Sequence, residues 1–398
     1  MKVAIVADDL TGSMDAAAPF ARRGLATCVV GNALDSETAL AGNADIISIN
    51  ADTRHLAPDA AAQITAECIS RVARLDPGIL FKKIDSSLRG NVASETIAAI
   101  RATTRSRAIV TPAMPGQGRT LVNGQVYIRG VLLRDTAIGH DQLNAPPAEP
   151  LDDILRAANP GLPVRLVDAG ALFTRPGIYV VDCSKDEDLR GVAAALLPIA
   201  GDAVVVGAGG LAEALAETAF GSTRAFPEPE PIDGAVVFVI GSRTPEAARQ
   251  VERLMESFAD TCALIDITPG TDLTDGALAR AKDAAVVVVR IAPHTKTGDA
   301  NSIAHNLAVA AKDLLEQEPT SLVAMTGGDT AIAVLGHLGG TTIDVEGEIE
   351  AGVVYGSVDL GNRRLRVLTK AGAFGNDDLF VTIARYFGKT TTNVKGQS

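Results

Sequence analysis

The sequence predicts an α/β protein of two domains, each a mostly parallel sheet flanked by helices. Three observations carry this. Apolar runs alternate with helix-period segments from end to end; such alternation marks βαβ units. Runs such as KVAIVA at the N-terminus are apolar without a break, as strands covered on both faces are. The stretch GSTRAFPEPEPIDG, Gly221 to Gly234, breaks the pattern once. Alternating Pro and Glu continue neither helix nor sheet, so it reads as a stiff linker between domains at residues 1–225 and 226–398. A chain of 398 residues is also too long for one ordinary core.

Taken in order, the strands of the first domain are expected at Val3–Ala7, Thr27–Val30, Asp45–Ile49, Ile79–Ile84, Ala108–Val110, Val164–Val167, Ile178–Val181 and Ala203–Val206. Those of the second are expected at Ala235–Ile240, Ala263–Ile267, Ala285–Ile291, Leu322–Thr326 and Arg364–Leu368. QVYIRGVLL, Gln125 to Leu133, reads as a small hairpin projecting from the first domain, and the polar end GKTTTNVKGQS as a frayed tail. The sequence contains no internal repeat.

Composition narrows the function. With 47% hydrophobic and 21% charged residues the chain is globular. A net charge of −12 argues against a general nucleic-acid or anionic-membrane surface, but not against a small anionic substrate met by a few local cations. No window reaches the ~18 apolar residues of a membrane span. The N-terminus turns acidic at Asp8, too early for a secretory signal. Cys28, Cys68, Cys183 and Cys262 are scattered without a CxxC, which fits reduced thiols and a cytoplasmic setting. The five His form no metal-ligand spacing, and no metal ligand is assigned.

Polarity collects where strands end. VADDLTG runs from a strand into Asp8 and Asp9 and then a helix. One acid suffices to cap that helix, which leaves the other for the crevice where open α/β sheets bind ligands. FKKIDSSLRGN offers Lys82, Lys83, Asp85, Ser86 and Arg89 at another strand end, with Lys83 and Asp85 on one face and Lys82 on the other. A small hydroxylated acid wants this set, cations for its carboxylate and Asp or Ser for its hydroxyls. Arg54 follows a third strand, and the Pro/Gly-rich loop TPAMPGQGRTLVNG carries Arg119.

The second domain differs. VFVIGSRTPE, LVAMTGGDTAIAVL and LTKAGAFGNDDLF each give strand, glycine and helix, at Gly241 and Ser242, at Gly327 and Gly328 before Asp329 and Thr330, and at Gly372 and Gly375. Thr244 is placed to cap the first of these helices and Pro245 to begin it. Free amides and helix dipoles on one rim make an anion site, and three such junctions point to a nucleotide. GAGGLA, Gly207 to Ala212, formally fits the dinucleotide fingerprint, but the acid expected about 20 residues on falls in the linker. It reads as a tight βα turn. No GxxxxGK[ST] is present, so a P-loop is excluded.

Together ADDLTGSMDAA, KKIDSSLRGN, PAMPGQGRTLVNG, GSRTPEAARQ, TGGDTAIAVL and KAGAFG resemble the four-carbon acid sugar kinases, in order and over nearly the whole chain. The KKIDSSLRG segment is most similar to the threonate kinase branch. GGDT stands where the family has GGET, and DSS where it has DST. The resemblance implies an ATP- and Mg²⁺-dependent phosphotransferase with an alcohol acceptor, its site in an interdomain cleft. Threonate or erythronate would be phosphorylated at the terminal 4-hydroxyl. It implies that Asp9, Arg54 and Lys82, Lys83, Ile84 and Asp85 touch substrate, and that Ser242, Gly327 to Thr330 and Gly375 touch nucleotide. Asp9 or Asp85 would take the proton of the attacking alcohol. The alternatives are a kinase of 3-oxo-tetronate or glycerate and a non-catalytic sugar-acid sensor. The partners expected are the sugar acid and ATP, with no nucleic acid and no membrane; the subunit count stays open, a homo-oligomer included.

Overall fold

The structure is a computed structural model. It describes residues 2–32, 42–140, 145–159, 161–224, 234–268, 273–292, 300–317, 320–361, 363–372 and 374–388. Most of the linker core and the polar tail lie outside these. Two compact units are present, Met1–Ala225 and Phe226–Ser398.

The first unit is a parallel sheet. Its strands are β1 (Val3–Ala7), β2 (Thr27–Val30), β3 (Ile46–Asn50), β4 (Ile79–Lys83), β5 (Arg107–Thr111), β9 (Val164–Asp168), β10 (Gly177–Asp182) and β11 (Ala203–Gly207), in the order β2-β3-β1-β4-β11-β5-β10-β9. Helices α1 (Leu10–Ala21), α5 (Asp186–Leu196) and α6 (Gly209–Phe220) pack together, and α2 (Pro58–Ala73), α3 (Val92–Arg101) and α4 (Leu151–Ala158) form a second group. Burial on both faces explains the unbroken apolar strands: every residue of β1 to β4 is buried, Lys82 and Lys83 included.

The topology also locates a crevice. The connection leaving β1 runs through α1 towards β2 at the sheet edge; that leaving β3 crosses back over β1, through α2, to β4. The chain leaves β4 in the opposite direction to β1, so these neighbouring strands form a topological switch point, where such sheets bind ligands. Register brings the ends level: Ala7 pairs with Asn50 and Lys83, and Gly207 with Lys83 and Thr111.

The second unit contains β12 (Ala235–Ile240), β13 (Cys262–Ile267), β14 (Val286–Ile291), β15 (Thr320–Thr326), β16 (Thr342–Glu350), β17 (Val353–Asp359) and β18 (Arg364–Lys370). Their order is β13-β14-β12-β15-β18-β17-β16, parallel as far as β18 and antiparallel beyond it. Its helices are α7 (Pro245–Ser257), α8 (Asp275–Ala281), α9 (Ala300–Gln317), α10 (Gly328–Leu338) and α11 (Leu379–Phe387); α7 packs with α11, and α9 with α10. Here the switch point lies between β12 and β15.

Every strand expected from the sequence is present within a residue or two at each end. Two regions differ. The Pro/Gly-rich stretch expected as a loop contributes β6 (Arg119–Val122), which joins β7 (Gln125–Ile128) and β8 (Val131–Leu132) in a three-stranded antiparallel sheet rather than a simple hairpin. Asn123 and Gly124, with φ of 51° and 70°, make the two-residue turn, as Arg129 and Gly130 do at 51° and 82°. Asn-Gly is a strong hairpin signal, and it was masked here by the neighbouring glycines and proline. The hairpin β16–β17 was not expected at all. TIDVEGEIE is half exposed and acidic, so it lacks the continuous apolar run that marks the buried strands.

Candidate active site

At the first switch point the chain gathers opposite charges in near-complete burial. Asp8 and Asp9 follow β1. Arg54 lies just beyond β3, and it grips both. Its Nε and Nη2 donate to Asp8 Oδ2 and Oδ1 at 2.7 and 3.0 Å. Its Nη1 and Nη2 donate to Asp9 Oδ2 and Oδ1 at 2.7 and 2.9 Å. Arg54 Nη2 also lies 3.8 Å from Asp85 Oδ1, beyond β4. Asp85 in turn accepts from Arg89 Nε at 2.9 Å and Nη2 at 2.8 Å, and from the backbone amide of Ser87 at 3.1 Å. Bidentate guanidinium–carboxylate pairs of this kind fix geometry as well as charge.

Asp9 also caps α1, accepting from the Gly12 amide at 2.8 Å and the Thr11 hydroxyl at 2.5 Å. The helix cap and the crevice acid are therefore the same residue, and Asp8 adds the second charge. Burial pushes the Asp9 carboxyl up, but Arg54, Lys83 and the Thr11 hydroxyl outweigh it and hold it below its ordinary value. Asp85 is likewise pushed up by burial and brought far lower by Arg89, Arg54 and Lys83. Burial lowers Arg54, while Asp8, Asp9 and Asp85 raise it further than burial lowers it. Both expected proton acceptors are thus locked in the ionised form, their oxygens occupied by N–H donors.

The two lysines of β4 part as alternation requires. Lys83 turns towards α1, with Nζ 3.5 Å from Asp15 Oδ2. Lys82 turns away from this cluster: its ammonium is fully buried, 2.7 Å from Glu95 Oε2 of α3. Ile84 is core and gives its carbonyl to Lys83 Nζ at 3.2 Å; Ser86 is half-buried. Asp15 and Glu95 were not singled out in the sequence. Asp15 is the sole charged residue of α1, whose remaining members are mostly small or apolar, and that isolation was the available signal.

In the second unit the three strand–glycine–helix junctions meet. Register aligns Ile240 with Thr326 and Thr326 with Lys370 at the ends of β12, β15 and β18. The Ser242 amide donates to Thr326 Oγ1 at 3.2 Å, and Thr244 Oγ1 donates to the Gly372 carbonyl at 3.2 Å. A Cβ on Gly241 would collide with Thr330 Oγ1, and one on Gly372 with Ser242 Oγ. Glycine is required at both for backbones to approach this closely. Gly327 caps α10 at φ 93°, so this helix begins at Gly328, a residue before the expected start, and Asp329 stands in its first turn. Thr244 caps α7 with Pro245 at its first position, as the sequence predicts. Gly375 lies further along the third loop, beside Leu379 and Glu350. A cavity of about 290 Å³ opens beside this rim, lined by Ile240, Ser242, Thr244, Val251, Arg290 and Ile291 among others. A larger groove, about 930 Å³, is lined by residues of α2, α3 and their ends, with Ala158 of α4, and includes none of these groups.

Lys370 opens the motif KAGAFG but was given no role in the sequence. Its side chain is fully buried, with Nζ donating to the carbonyls of Ala371 at 3.1 Å and Gly372 at 2.9 Å. Burial lowers it to about 8 against the pull of Glu350 and Glu246. In a trans peptide the N–H opposes the C=O, so turning the Ala371 carbonyl towards Lys370 turns the Gly372 amide away from it.

The GAGGLA glycines serve packing. A Cβ on Gly207 would meet Leu211 and the Thr111 carbonyl, one on Gly209 would meet Asp15, and one on Gly210 the Ala113 carbonyl. The segment is the tight β11–α6 turn. Among the described residues no cluster of three His, Cys, Asp or Glu could hold a metal ion, and no helix is long and apolar enough to cross a membrane.

Comparison with known proteins agrees with this division. Residues 3–215 match the family model described as a sugar-binding N-terminal domain, and residues 237–380 the model described as a nucleotide-binding C-terminal domain. A D-threonate kinase of Bordetella bronchiseptica is 33% identical over 96% of this chain and 96% of its own. A D-erythronate kinase of Heliobacterium modesticaldum is 26% identical over 96% of each. A solved structure from Bordetella bronchiseptica, a domain of unknown function with bound citrate in a domain-swapped dimer, is 27% identical. It covers 97% of this chain and 98% of that one at a TM-score of 0.50. The chain belongs to the four-carbon acid sugar kinase family and is a kinase of four-carbon sugar acids.

Proposed function

We propose that the protein is a cytoplasmic, ATP- and Mg²⁺-dependent kinase that phosphorylates threonate or erythronate at the terminal 4-hydroxyl, as a D-threonate 4-kinase does. The observation that carries this reading is the buried cluster of Asp8, Asp9, Arg54, Asp85 and Arg89 at the first switch point. A four-carbon sugar acid presents one carboxylate and several hydroxyls, and this cluster offers acceptors and donors to both. Arg89, the most exposed of its charged groups, takes the carboxylate. Asp9, Asp85 and Ser86 take hydroxyls, the two carboxylates as ionised acceptors. Arg54, already engaged by two aspartates, holds them in place. Lys83 stands at the α1 side, towards the reacting hydroxyl. A related structure was solved with bound citrate, itself a carboxylated hydroxy compound, which is in keeping with an acid ligand.

The nucleotide belongs to the second unit. Ser242, Gly327 to Thr330, Gly372 and Gly375 fit its phosphates: backbone approaches closely where a Cβ would clash, and the first turns of α7 and α10 face the same rim. When bound, ATP supplies the γ-phosphoryl group. The residues fit Mg²⁺ less directly, since the described residues lack a cluster of acidic ligands. Mg²⁺ commonly keeps waters and phosphate oxygens and needs only one or two carboxylates, and Asp329 is the candidate here. Phosphoryl transfer asks mainly for positioning and charge neutralisation, which this set of residues can provide.

ADP release by the purified protein is the test, with Mg-ATP and a panel of D- and L-threonate, D- and L-erythronate, 3-oxo-tetronates and glycerate. The expected result is strong turnover with one threonate or erythronate isomer and the product phosphorylated at C4. Turnover confined to 3-oxo-tetronate or glycerate would replace the substrate. Binding of a tetronate with no ADP release under any condition would favour the sensor.

A further inference from the structure

Neither acid expected to take the proton is suited to it, and a third carboxylate is. This inference rests on reading the first unit as the sugar-acid site. Asp9 carries four hydrogen bonds, two from Arg54 and one each from Gly12 and Thr11. Asp85 accepts from Arg89 and from backbone amides. A carboxylate gripped by guanidinium groups and held below its ordinary value can still accept a hydrogen bond from a hydroxyl, but it is a weak base for that hydroxyl's proton.

We propose that Asp15 accepts the proton of the attacking hydroxyl, with Lys83 holding its carboxylate in position. Asp15 lies on α1 two turns from the Asp9 cap, on the side of β4 from which Lys83 projects. Its side chain is 13% exposed, and its nearest cation, Lys83 Nζ, stands 3.5 Å from Oδ2, a looser hold than the guanidinium grip on Asp8 and Asp9. Lys83 also joins it to the substrate cluster: a Cβ on Gly12 would lie 2.5 Å from Asp9 Oδ1 and 3.3 Å from Lys83 Nζ, so Asp9 and Lys83 are neighbours around one glycine and Lys83 reaches on to Asp15. From α6 the approach is at Gly209. A Cβ at Gly209 would lie 2.5 Å from Asp15 Oδ2 and 2.7 Å from Oδ1, so only glycine leaves the carboxylate where it is. The charged groups facing Asp15 are Lys83 from β4, Asp9 from the start of α1 and Arg119 from β6. Burial outweighs Lys83 and raises the Asp15 carboxyl above its ordinary value, the direction a base working near neutral pH needs.

In this step the acceptor O–H bond breaks as its oxygen bonds the γ-phosphorus. The bond from that phosphorus to the bridging oxygen breaks, and ADP leaves with the electron pair. The proton passes to Asp15 and then to solvent.

The test is the pH dependence of kcat in the full-length protein and in Asp15→Asn, with ATP saturating and the best tetronate of the panel. D15N is isosteric and should lower kcat about 100-fold, the scale of general-base catalysis. Tetronate affinity by calorimetry should stay within about threefold of the wild type. The wild-type kcat should fall as pH drops through the raised Asp15 value, and that acid limb should vanish in D15N. A second variant, Gly209→Ala, displaces the carboxylate without removing it and should lower kcat with the same unchanged affinity. The proposal is overturned if D15N keeps kcat within about threefold, if the acid limb survives in D15N, or if affinity falls in proportion to kcat. A wild type that turns over no member of the panel would instead sink the kinase reading beneath it.

Discussion

The two units repeat one topology and equip it in opposite ways. Around its switch point the first unit runs β2-β3-β1-β4 and the second β13-β14-β12-β15: the first strand of each group lies inside, the second at the far edge, the third between them and the fourth beyond. In both, all four strands are parallel. Yet the rim of the first is built from charged side chains, and that of the second from glycine backbone, threonine and serine hydroxyls and one buried lysine. The difference fits the ligands proposed for each rim. A small acid with several hydroxyls must be told from its isomers, and side chains at fixed angles do that. A polyphosphate needs many equivalent donors close in, and backbone amides supply them without the bulk of a Cβ. On the proposed assignment, the same crevice serves specificity in one unit and charge in the other.

The comparison can be broken most decisively at Arg54. Arg54→Met leaves Asp8 and Asp9 buried side by side with their main counterion gone, which should cost about 3–5 kcal/mol. Thermal unfolding should show the loss, together with loss of tetronate binding. The pH dependence gives a second reading. In the wild type Asp9 and Asp85 lie below the ordinary value of 3.8, so the stability they contribute is complete above it and fades as pH falls through their lower folded values. Without Arg54, burial dominates at Asp9, its value rises, and the variant should regain stability as pH falls towards 4. Calorimetric ATP affinity that dropped as far as tetronate affinity would refute the separation of the two rims.

Gly241→Ala probes the other rim. The added Cβ meets Thr330 Oγ1 and lies 3.1 Å from the Thr326 carbonyl, so β12 and β15 must part. ATP affinity should fall about tenfold, equivalent to 1.4 kcal/mol, while tetronate affinity holds. An unchanged KM for ATP would remove this junction from the nucleotide site.

Lys370→Met is the finest cut. It deletes the two hydrogen bonds that turn the Ala371–Gly372 loop, and about 1 kcal/mol of ATP affinity, roughly fivefold, should go with them. Because burial lowers Lys370 to about 8, its ammonium form prevails below that pH and is lost above it. Wild-type ATP affinity should weaken as pH rises through 8, and the variant should lose this dependence. A wild-type profile flat to pH 9 would show that the lysine is structural only.

The polar set at the strand ends was legible because a parallel sheet buries everything else. Where apolar runs stop at DD, KKIDSS or GG, the change of chemistry marks the rim without any knowledge of neighbours. Partner choice was hidden. That Lys82 would leave for Glu95 while Lys83 joined Asp15 follows from alternation only once α1 and α3 are known to lie against β4. Lys370 and Asp15 stand inside KAGAFG and ADDLTGSMDAA but were given no role for a related reason: the residues beside each are small or apolar, and one such charge suggests no partner. β16 escaped because its pairing with β17, not its own half-exposed acidic pattern, makes it a strand, and β17, a buried run interrupted by Gly356 and Ser357, was passed over with it.

What the sequence determined by itself was local: the strands, the caps at Asp9 and Thr244, and the glycines that open each junction. These depend on propensity, periodicity and φ, which neighbours in the chain set among themselves. What only the tertiary structure decided was which of these ends share a rim, which carboxylates are held by guanidinium and which by a lysine, and that two dissimilar stretches repeat one strand order. Those depend on strand order and crossover direction, long-range choices that put residues 9 and 85, or 242 and 372, side by side with no trace in the sequence between them.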